Sequence, residues 1–480
     1  MLELQPDYEL TTNYDELYSP DGEPRAHYVP LERTLAGVGR EEILARVAAT
    51  NSALLQRGVT FTVYADAAGT ERVFPFDIIP RLITAAEWDS IERGIQQRVR
   101  ALNAFLLDLY RGGQQILREK RIPRDLVYSS KHFCREMIDF PVAQDVYVHV
   151  SGIDLIRDTN GEFLVLEDNC RTPSGISYVL ENRDVLKRAF PPIFGEYAVR
   201  PVDDYPAQLL NVLRYIAPRA MAQPNVVVLT PGIYNSAYFE HTLLARRMGV
   251  ELVEGRDLIV VDNVVYLKTT RGLQRVDVIY RRVDDDYLDP LFFVSDSTLG
   301  VTGLMNAYRA GNVSLANAIG TGVADDKAIY RFVPEMIRFY LSEDPILNNV
   351  PTYDCTNPVE RRHVLGNLDK LVVKNTNASG GYGMLMGPFA GAEERDKFHD
   401  MIQSHPRDFI AQPIVELSSS PTFIDGRITP RRVDLRPYAL YGERVTVPPA
   451  ALTRVALREG SLVVNSSQGG GSKDTWVLQD

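Results

Sequence analysis

Apolar residues recur at helical spacing over 91–109 and at strand spacing over 145–169. These two stretches frame the chain. In the first, Ile91, Ile95, Val99, Leu102, Phe105, Leu106 and Leu109 fall largely on one side of a helix. Thr84 and Glu87 stand at capping-box spacing before it, so a hydroxyl and a carboxylate can satisfy free amide hydrogens. Arg111-Gly112-Gly113 suits its end, and the stripe reads as core packing. In the second stretch, DVYVHVSGIDLIRD and EFLVLEDN predict two strands around an Asp158–Gly161 turn. Asn160-Gly161 supplies the tight turn of a hairpin. A helix starts near Ser174 and carries SYVLENRDVLKRAF.

Upstream, residues 1–30 are polar and read as a lead-in wrapped on the surface. A helix is expected near Arg40–Gln56, and FTVYADAAGTERVFPFDIIPRLIT reads as two strands about a Gly-containing turn. Downstream the pattern changes at Pro224. VVVLTPG, YFEHTLLARRMG and VELVEG read as strand, helix and strand, the start of a βαβ unit with a parallel sheet. VDVIYRRVDDDYLDP adds a strand with charge at its end. No GxGxxG accompanies it, so no dinucleotide site is inferred. The last third, from GVADDKAIYRFVPEMIRFYL onward, alternates strands with loops of mixed chemistry. No internal repeat is visible.

The chain has 480 residues, enough for about three domains. Its composition, 45% hydrophobic and 24% charged, is that of a globular protein and argues against general disorder. A net charge of -11 argues against nonspecific nucleic-acid binding, while a local basic cleft stays compatible with it. The N-terminal stretch lacks the basic and apolar runs of a signal peptide, and no apolar run is long enough to span a membrane. The cytoplasm is the expected location. Cys134, Cys170 and Cys355 form no CxxC or Cys/His cluster and read as free thiols.

Two constellations carry chemistry. Lys374 ends a strand just before Asn377-Ala378-Ser379-Gly380-Gly381-Tyr382-Gly383. Glycines let backbone amides approach an anion, and an ammonium neutralises phosphate oxygens. The spacing is not that of a Walker motif, and an ordinary hairpin is the bland alternative. Lys327, after Asp325-Asp326, is either a second phosphate contact or a surface lysine. The strand around Gln412, Pro413, Ile414 and Val415 can read an adenine edge or sit at the edge of a sheet. Asp434 and Arg436 alternate along a strand and share a face. Arg436 can clamp a transferred phosphate, with Arg454 as a further cation, or either can form structural salt bridges; Asn465 and Lys473, around the glycine-rich tail, are substrate candidates.

On the other side, Asp154 and Glu167 lie on the two strands of the hairpin, with Asn169 on the face of Glu167. Two carboxylates and an amide oxygen are hard ligands suited to Mg²⁺ or Mn²⁺. The same carboxylates can instead serve a glycosidase or face solvent. Asn169 and the distant lysines favour the metal–nucleotide reading. Arg171 and Ser174 can hold an acidic substrate or a phosphate, or Ser174 can cap the next helix. Arg281 and Arg282 are further carboxylate-binding candidates.

Together, GIDLIRDTNGEFLVLEDNCRTPSGISYVLENR, YRRVDDDYLDPL, ADDKAIYRFVPEMI, LVVKNTNASGGYGMLMG, VDLRPYAL and LVVNSSQGGGSKDTWVL resemble the circularly permuted ATP-grasp type 2 family, the glutathionylspermidine-synthase-like, alpha-E-associated group. The resemblance runs from about residue 60 to the C-terminus. It implies a mixed α/β grasp fold with a small Rossmann-like pre-grasp domain. The expected division is 1–60 lead-in and helix, 61–221 front half with the metal-binding hairpin, 222–320 pre-grasp domain, and 321–480 ATP-binding region. It implies Lys327 and Lys374 on ATP phosphates, Ser379, Gly380, Gly381 and Gly383 covering them, and Gln412 through Val415 beside adenine. Asp154, Glu167 and Asn169 would hold Mg²⁺, and Arg436, Arg454 and Lys374 would serve the transfer. The implied activity is ATP-dependent joining of a small-molecule or peptide carboxylate to an amine through an acyl phosphate. A degenerate nucleotide-binding scaffold and a simple phosphotransferase are the alternatives. Association with an alpha-E-type protein is implied, nucleic-acid and membrane partners are not, and substrates and oligomeric state stay open.

Overall fold

The structure is a computed structural model. It describes residues 8–10, 12–63, 70–219, 222–376, 383–464 and 470–479. Strand β1 (Phe76–Ile83) feeds the long helix α1 (Ala85–Tyr110). The expected capping box forms: Glu87 N donates to Thr84 Oγ1 at 3.4 Å, and Thr84 N to Glu87 Oε2 at 2.9 Å. Every residue of the apolar stripe is buried, and the stripe packs on one face of the main sheet.

The hairpin also forms, as β2 (Val150–Arg157) and β3 (Phe163–Asn169). Gly161 takes a φ of +86°, which a tight turn needs and glycine tolerates. The antiparallel register sets Asp154 opposite Glu167 and Gly152 opposite Asn169. Helix α2 (Ile176–Ala189) follows.

The segment after Pro224 builds β4 (Val226–Leu229), α3 (Tyr238–Met248), β5 (Glu251–Val253), β6 (Val278–Arg281) and β7 (Ser314–Ala316). These strands form a parallel sheet in the order β7-β6-β4-β5. Between β5 and β6 lies a three-stranded antiparallel sheet, Leu258–Val261, Val264–Thr269 and Gly272–Arg275.

The chain then makes β8 (Asn348–Asn349), β9 (Tyr353–Asp354), β10 (Leu371–Asn375), β11 (Met384–Met386) and β12 (Phe409–Pro413). An antiparallel sheet in the order β9-β12-β10-β11 carries its own core with Val364, Leu368, Phe398 and Ile402. Finally β13 (Ser419–Ile424), β14 (Arg427–Tyr441), β15 (Ala451–Val455) and β16 (Gly471–Val477) return to the main sheet. That nine-stranded sheet runs β8-β3-β2-β14-β15-β16-β1, with β13 and Val445–Thr446 also paired to β14. The hairpin from the front of the chain therefore lies beside strands from its end, and this brings the site together.

The expected surface lead-in is corrected in part. Glu16 is fully buried and bridges Arg81 at 2.6 Å and Arg157 at 2.9 Å. Its backbone N–H donates to Ser419 O at 2.8 Å. A segment that neutralises two buried guanidiniums belongs to the core, because either arginine alone would be a costly buried charge. Among the described residues, no helix is long and apolar enough to cross a membrane, and all three cysteines are buried and free.

Candidate active site

One face of the main sheet gathers the predicted acids and arginines. Alternation along β2, β3, β14 and β15 puts Asp154, Glu167, Asn169, Asp434, Arg436 and Arg454 on the same side. Asp434 and Arg454 are directly opposite across β14 and β15. Arg436 grips Asp154 with Nε and, at 2.7 Å, with Nη2. Arg454 Nη2 donates to Asp154 at 2.7 Å, and its Nε to Asp434 at 2.9 Å. Asp154 and Asp434 are each about 1% exposed. Burial alone would raise the Asp154 pKa, but Arg436 and Arg454 outweigh it and hold the carboxyl well below the usual range. Burial keeps Asp434 above its ordinary value, with Arg454 opposing.

Two lysines face this array. Lys327 stands after Asp326, whose side chain caps the short helix Lys327–Tyr330, and its Nζ lies 3.4 Å from Glu167. Lys374 projects from the end of β10. Burial pushes it down to about 8, Glu167 opposes the shift and Lys327 reinforces it. Glu167 is the more accessible acid, with Arg436 Nη2 at 3.9 Å as a second cationic neighbour.

The loop after β3 borders the array. Arg171 pairs with Asp325 at 3.0 Å and Asp284 at 3.4 Å. Burial raises Asp325 to about 6 despite Arg171. Burial also lowers His132 to about 3, helped by Arg171, Lys131, Lys327 and Arg407, so the surroundings are cationic. The Ser174 carbonyl accepts from Tyr438 Oη at 2.9 Å and Arg436 Nη1 at 3.4 Å.

Some sequence expectations are corrected. Ser174 is not the cap of α2: Gly175 holds that position at φ +114°, where a Cβ would fall 2.5 Å from Tyr438 Oη. Arg281 and Arg282 do not join the array. The Arg281 guanidinium is fully buried on the carbonyls of Asn317, Val283 and Ala318 and on Asp285. Arg282 is held by Glu240 and Tyr280 Oη. Lys473 points to the opposite sheet face, buried against Asp77 and Pro421 O.

Gln412, in β12, donates its side chain to Thr352 Oγ1 at 2.9 Å. β9 flanks β12 only as far as Ala411, while β10 continues to Pro413. Ile414 and Val415 follow the strand. Gly383 has φ +67°. Ser379, Gly380, Gly381 and Asn465 lie outside the described residues.

Sequence reasoning missed two residues. Asn317 accepts from the His149 and Val150 amides, both at 2.7 Å, and donates to the Val150 and Cys170 carbonyls. Glu240 accepts from the first amides of α2. Neither sits in a motif; only tertiary structure gives them partners.

The family model for circularly permuted ATP-grasp type 2 matches residues 80–456. The chain belongs to this family. It is 55% identical over 473 residues to an uncharacterized Synechocystis protein, covering 98% of each. It is 43% identical over 468 residues to a Frankia alni protein carrying the provisional name glutamate–cysteine ligase 2-3. That match covers 97% of this chain and 54% of the Frankia protein. A glutathione synthetase-like effector from Globodera pallida has the same fold, with a TM-score of 0.60 at 12% identity. It matches over 92% of this chain and 98% of that one. The fold is thus a circularly permuted ATP-grasp, and the family is one of ATP-grasp ligases.

Proposed function

We propose that the protein is an ATP-dependent carboxylate–amine ligase working through an acyl phosphate. The observation that carries this reading is Lys374: a half-buried ammonium beside Glu167 and Lys327, with its pKa lowered to about 8. A half-buried lysine with a depressed pKa is poised to gain from an anion, because a phosphate returns the favourable field that water no longer supplies.

In the proposed reaction a carboxylate oxygen attacks the γ-phosphorus of ATP, the bond to the β-phosphate oxygen breaks, and ADP leaves. The amine nitrogen then attacks the acyl carbon, the carbon–oxygen bond to phosphate breaks, and the amine loses a proton. Lys374 and Lys327 hold phosphate oxygens, with the loop through Gly383 covering them. Arg436 and Arg454 face the charge that spreads over the transferring group. The backbone of β12 beyond Ala411, through Val415, takes the adenine edge.

Glu167 and Asn169 suit a hard divalent cation. Glu167 is an accessible carboxylate, and Asn169 spends its Nδ2 on Gly152 O at 3.2 Å, which keeps Oδ1 as an acceptor. Asp154 completes the set as a carboxylate shared with the arginines. Mg²⁺, or Mn²⁺, would supply charge neutralisation on the nucleotide phosphates. Arg171 borders the site as a substrate contact. A cytoplasmic setting and an alpha-E-type partner belong to the same reading, and the name of the Frankia relative supports a ligase.

The test is a screen of carboxylates and amines for stimulated ADP release, with hydroxylamine as a trap for the acyl phosphate. The expected result is ADP formation requiring a carboxylate, with hydroxamate when the trap replaces the amine. A stable phosphate ester as sole product would overturn the ligase assignment.

A further inference from the structure

Helix α2 begins at the edge of the site, yet it lacks a cap of its own. Its first amides need partners, as at every helix start, and Gly175 has no side chain to offer. The partner comes from another module. Glu240, on α3 beside the parallel sheet, accepts with Oε2 from Gly175 N at 2.7 Å, Ser177 N at 3.1 Å and Ser177 Oγ at 3.0 Å. Its Oε1 faces Arg282 Nη2 at 3.2 Å, and that nitrogen also lies 3.4 Å from Thr172 O. Glu240 is 1% exposed and Arg282 is 5% exposed.

The pair thus grips the 172–177 loop at both ends. Between them the Ser174 carbonyl accepts from Arg436 and Tyr438. A buried carboxylate sharing its oxygens among three donors and an arginine is confined, since losing any partner leaves desolvated charge. Further along, Arg247 of α3 pairs with Glu181 at 3.1 Å and Asp184 at 2.7 Å on α2. That second contact is exposed on the arginine and adds little.

We propose that Glu240 is a positioning residue: it ties the parallel-sheet module to Arg436 through the 172–177 loop and so sets the arginine for phosphoryl transfer. This rests on the ligase reading for its catalytic consequence, but the latch itself does not. Glu240→Gln is the informative change. The amide keeps one acceptor but points a donor at either Arg282 or the helix amides, so one side of the latch must open.

The experiment compares wild type, Glu240→Gln, Ser177→Ala and Arg247→Ala in the full chain. Hydrogen exchange of the 171–178 peptide is read alongside kcat and KM for ATP per folded molecule. Glu240→Gln should speed exchange at 171–178 by about tenfold or more and lower kcat by about tenfold, with KM within about threefold. Ser177→Ala, which removes one hydroxyl and keeps the fold, should do both to a smaller degree. Arg247→Ala should change neither. Unchanged exchange and kcat in both Glu240→Gln and Ser177→Ala would overturn the proposal. So would faster exchange at unchanged kcat, which marks a merely structural cap. If wild type shows no turnover with any substrate pair, the ligase reading and the catalytic role fail together. Exchange then still decides whether the latch exists.

Discussion

The two faces of the main sheet use the same residue types for opposite ends. On the α1 face three sets of buried charges are paired: Arg98 with Asp168 at 2.6 Å, Glu16 with Arg81 and Arg157, Lys473 with Asp77. On the other face, beyond the start of α2, Asp154 is shared by two arginines while Lys374 is half-buried without an ion pair of its own among the described residues. Lys473 and Lys374 make the contrast plain. Burial lowers the pKa of both, but a carboxylate in contact opposes it at Lys473. A closed pair serves stability, and an array with surplus positive charge serves an incoming anion.

Breaking a closed pair should give the largest effect. Lys473→Met strands Asp77 in the interior and should cost about 3–5 kcal/mol of stability in urea unfolding, with kcat per folded molecule retained. Loss of activity at unchanged stability would erase the distinction between the faces. Lys374→Met should do the reverse: turnover falls by about 10²–10³-fold, while the melting temperature holds or rises.

Glu167→Gln sharpens the contrast within the open face. The Mg²⁺ needed for half-maximal turnover should rise on the order of tenfold, since one hard anionic ligand is removed. An unchanged Mg²⁺ titration would remove Glu167 from the metal site.

The smallest effect is a pH dependence of stability. Lys374 has its folded pKa lowered to about 8, against an unfolded value of about 10.4. Between these values the unfolded chain binds more protons, so this group's contribution to stability rises with pH. Below pH 8 its full penalty applies. Lys374→Met should therefore be more stable than wild type at pH 7, and the gap should narrow from pH 8 to 10. Denaturant titrations across that range read it directly.

The elements of the site were legible where local pattern determines them. The capping box at Thr84, the hairpin turn at Gly161 and the alternation placing Asp434 beside Arg436 are short-range facts, and each appears in the structure. Side-chain partners were not legible. Arg281 and Arg282 look like a basic pair at a strand end, but Asn317 and Glu240, distant in sequence, absorb them. Lys473 looks like part of a glycine-rich anion loop, yet alternation along β16 turns it to the far face. The small antiparallel sheet between β5 and β6 was missed because its strands, such as Leu258–Val261, are short and half exposed. Apolar spacing is then too weak to separate them from their surroundings.

The central claim is that Lys374 awaits a phosphate. Titration calorimetry with a non-hydrolysable ATP analogue and Mg²⁺ at pH 8, repeated in buffers of different ionisation enthalpy, counts the protons taken up on binding. With its pKa lowered to about 8, Lys374 is expected to be only partly protonated at this pH in the free protein. Wild type should therefore take up a fraction of a proton as the nucleotide binds, and Lys374→Met should take up none. Equal uptake by both proteins, or none by wild type, would contradict it.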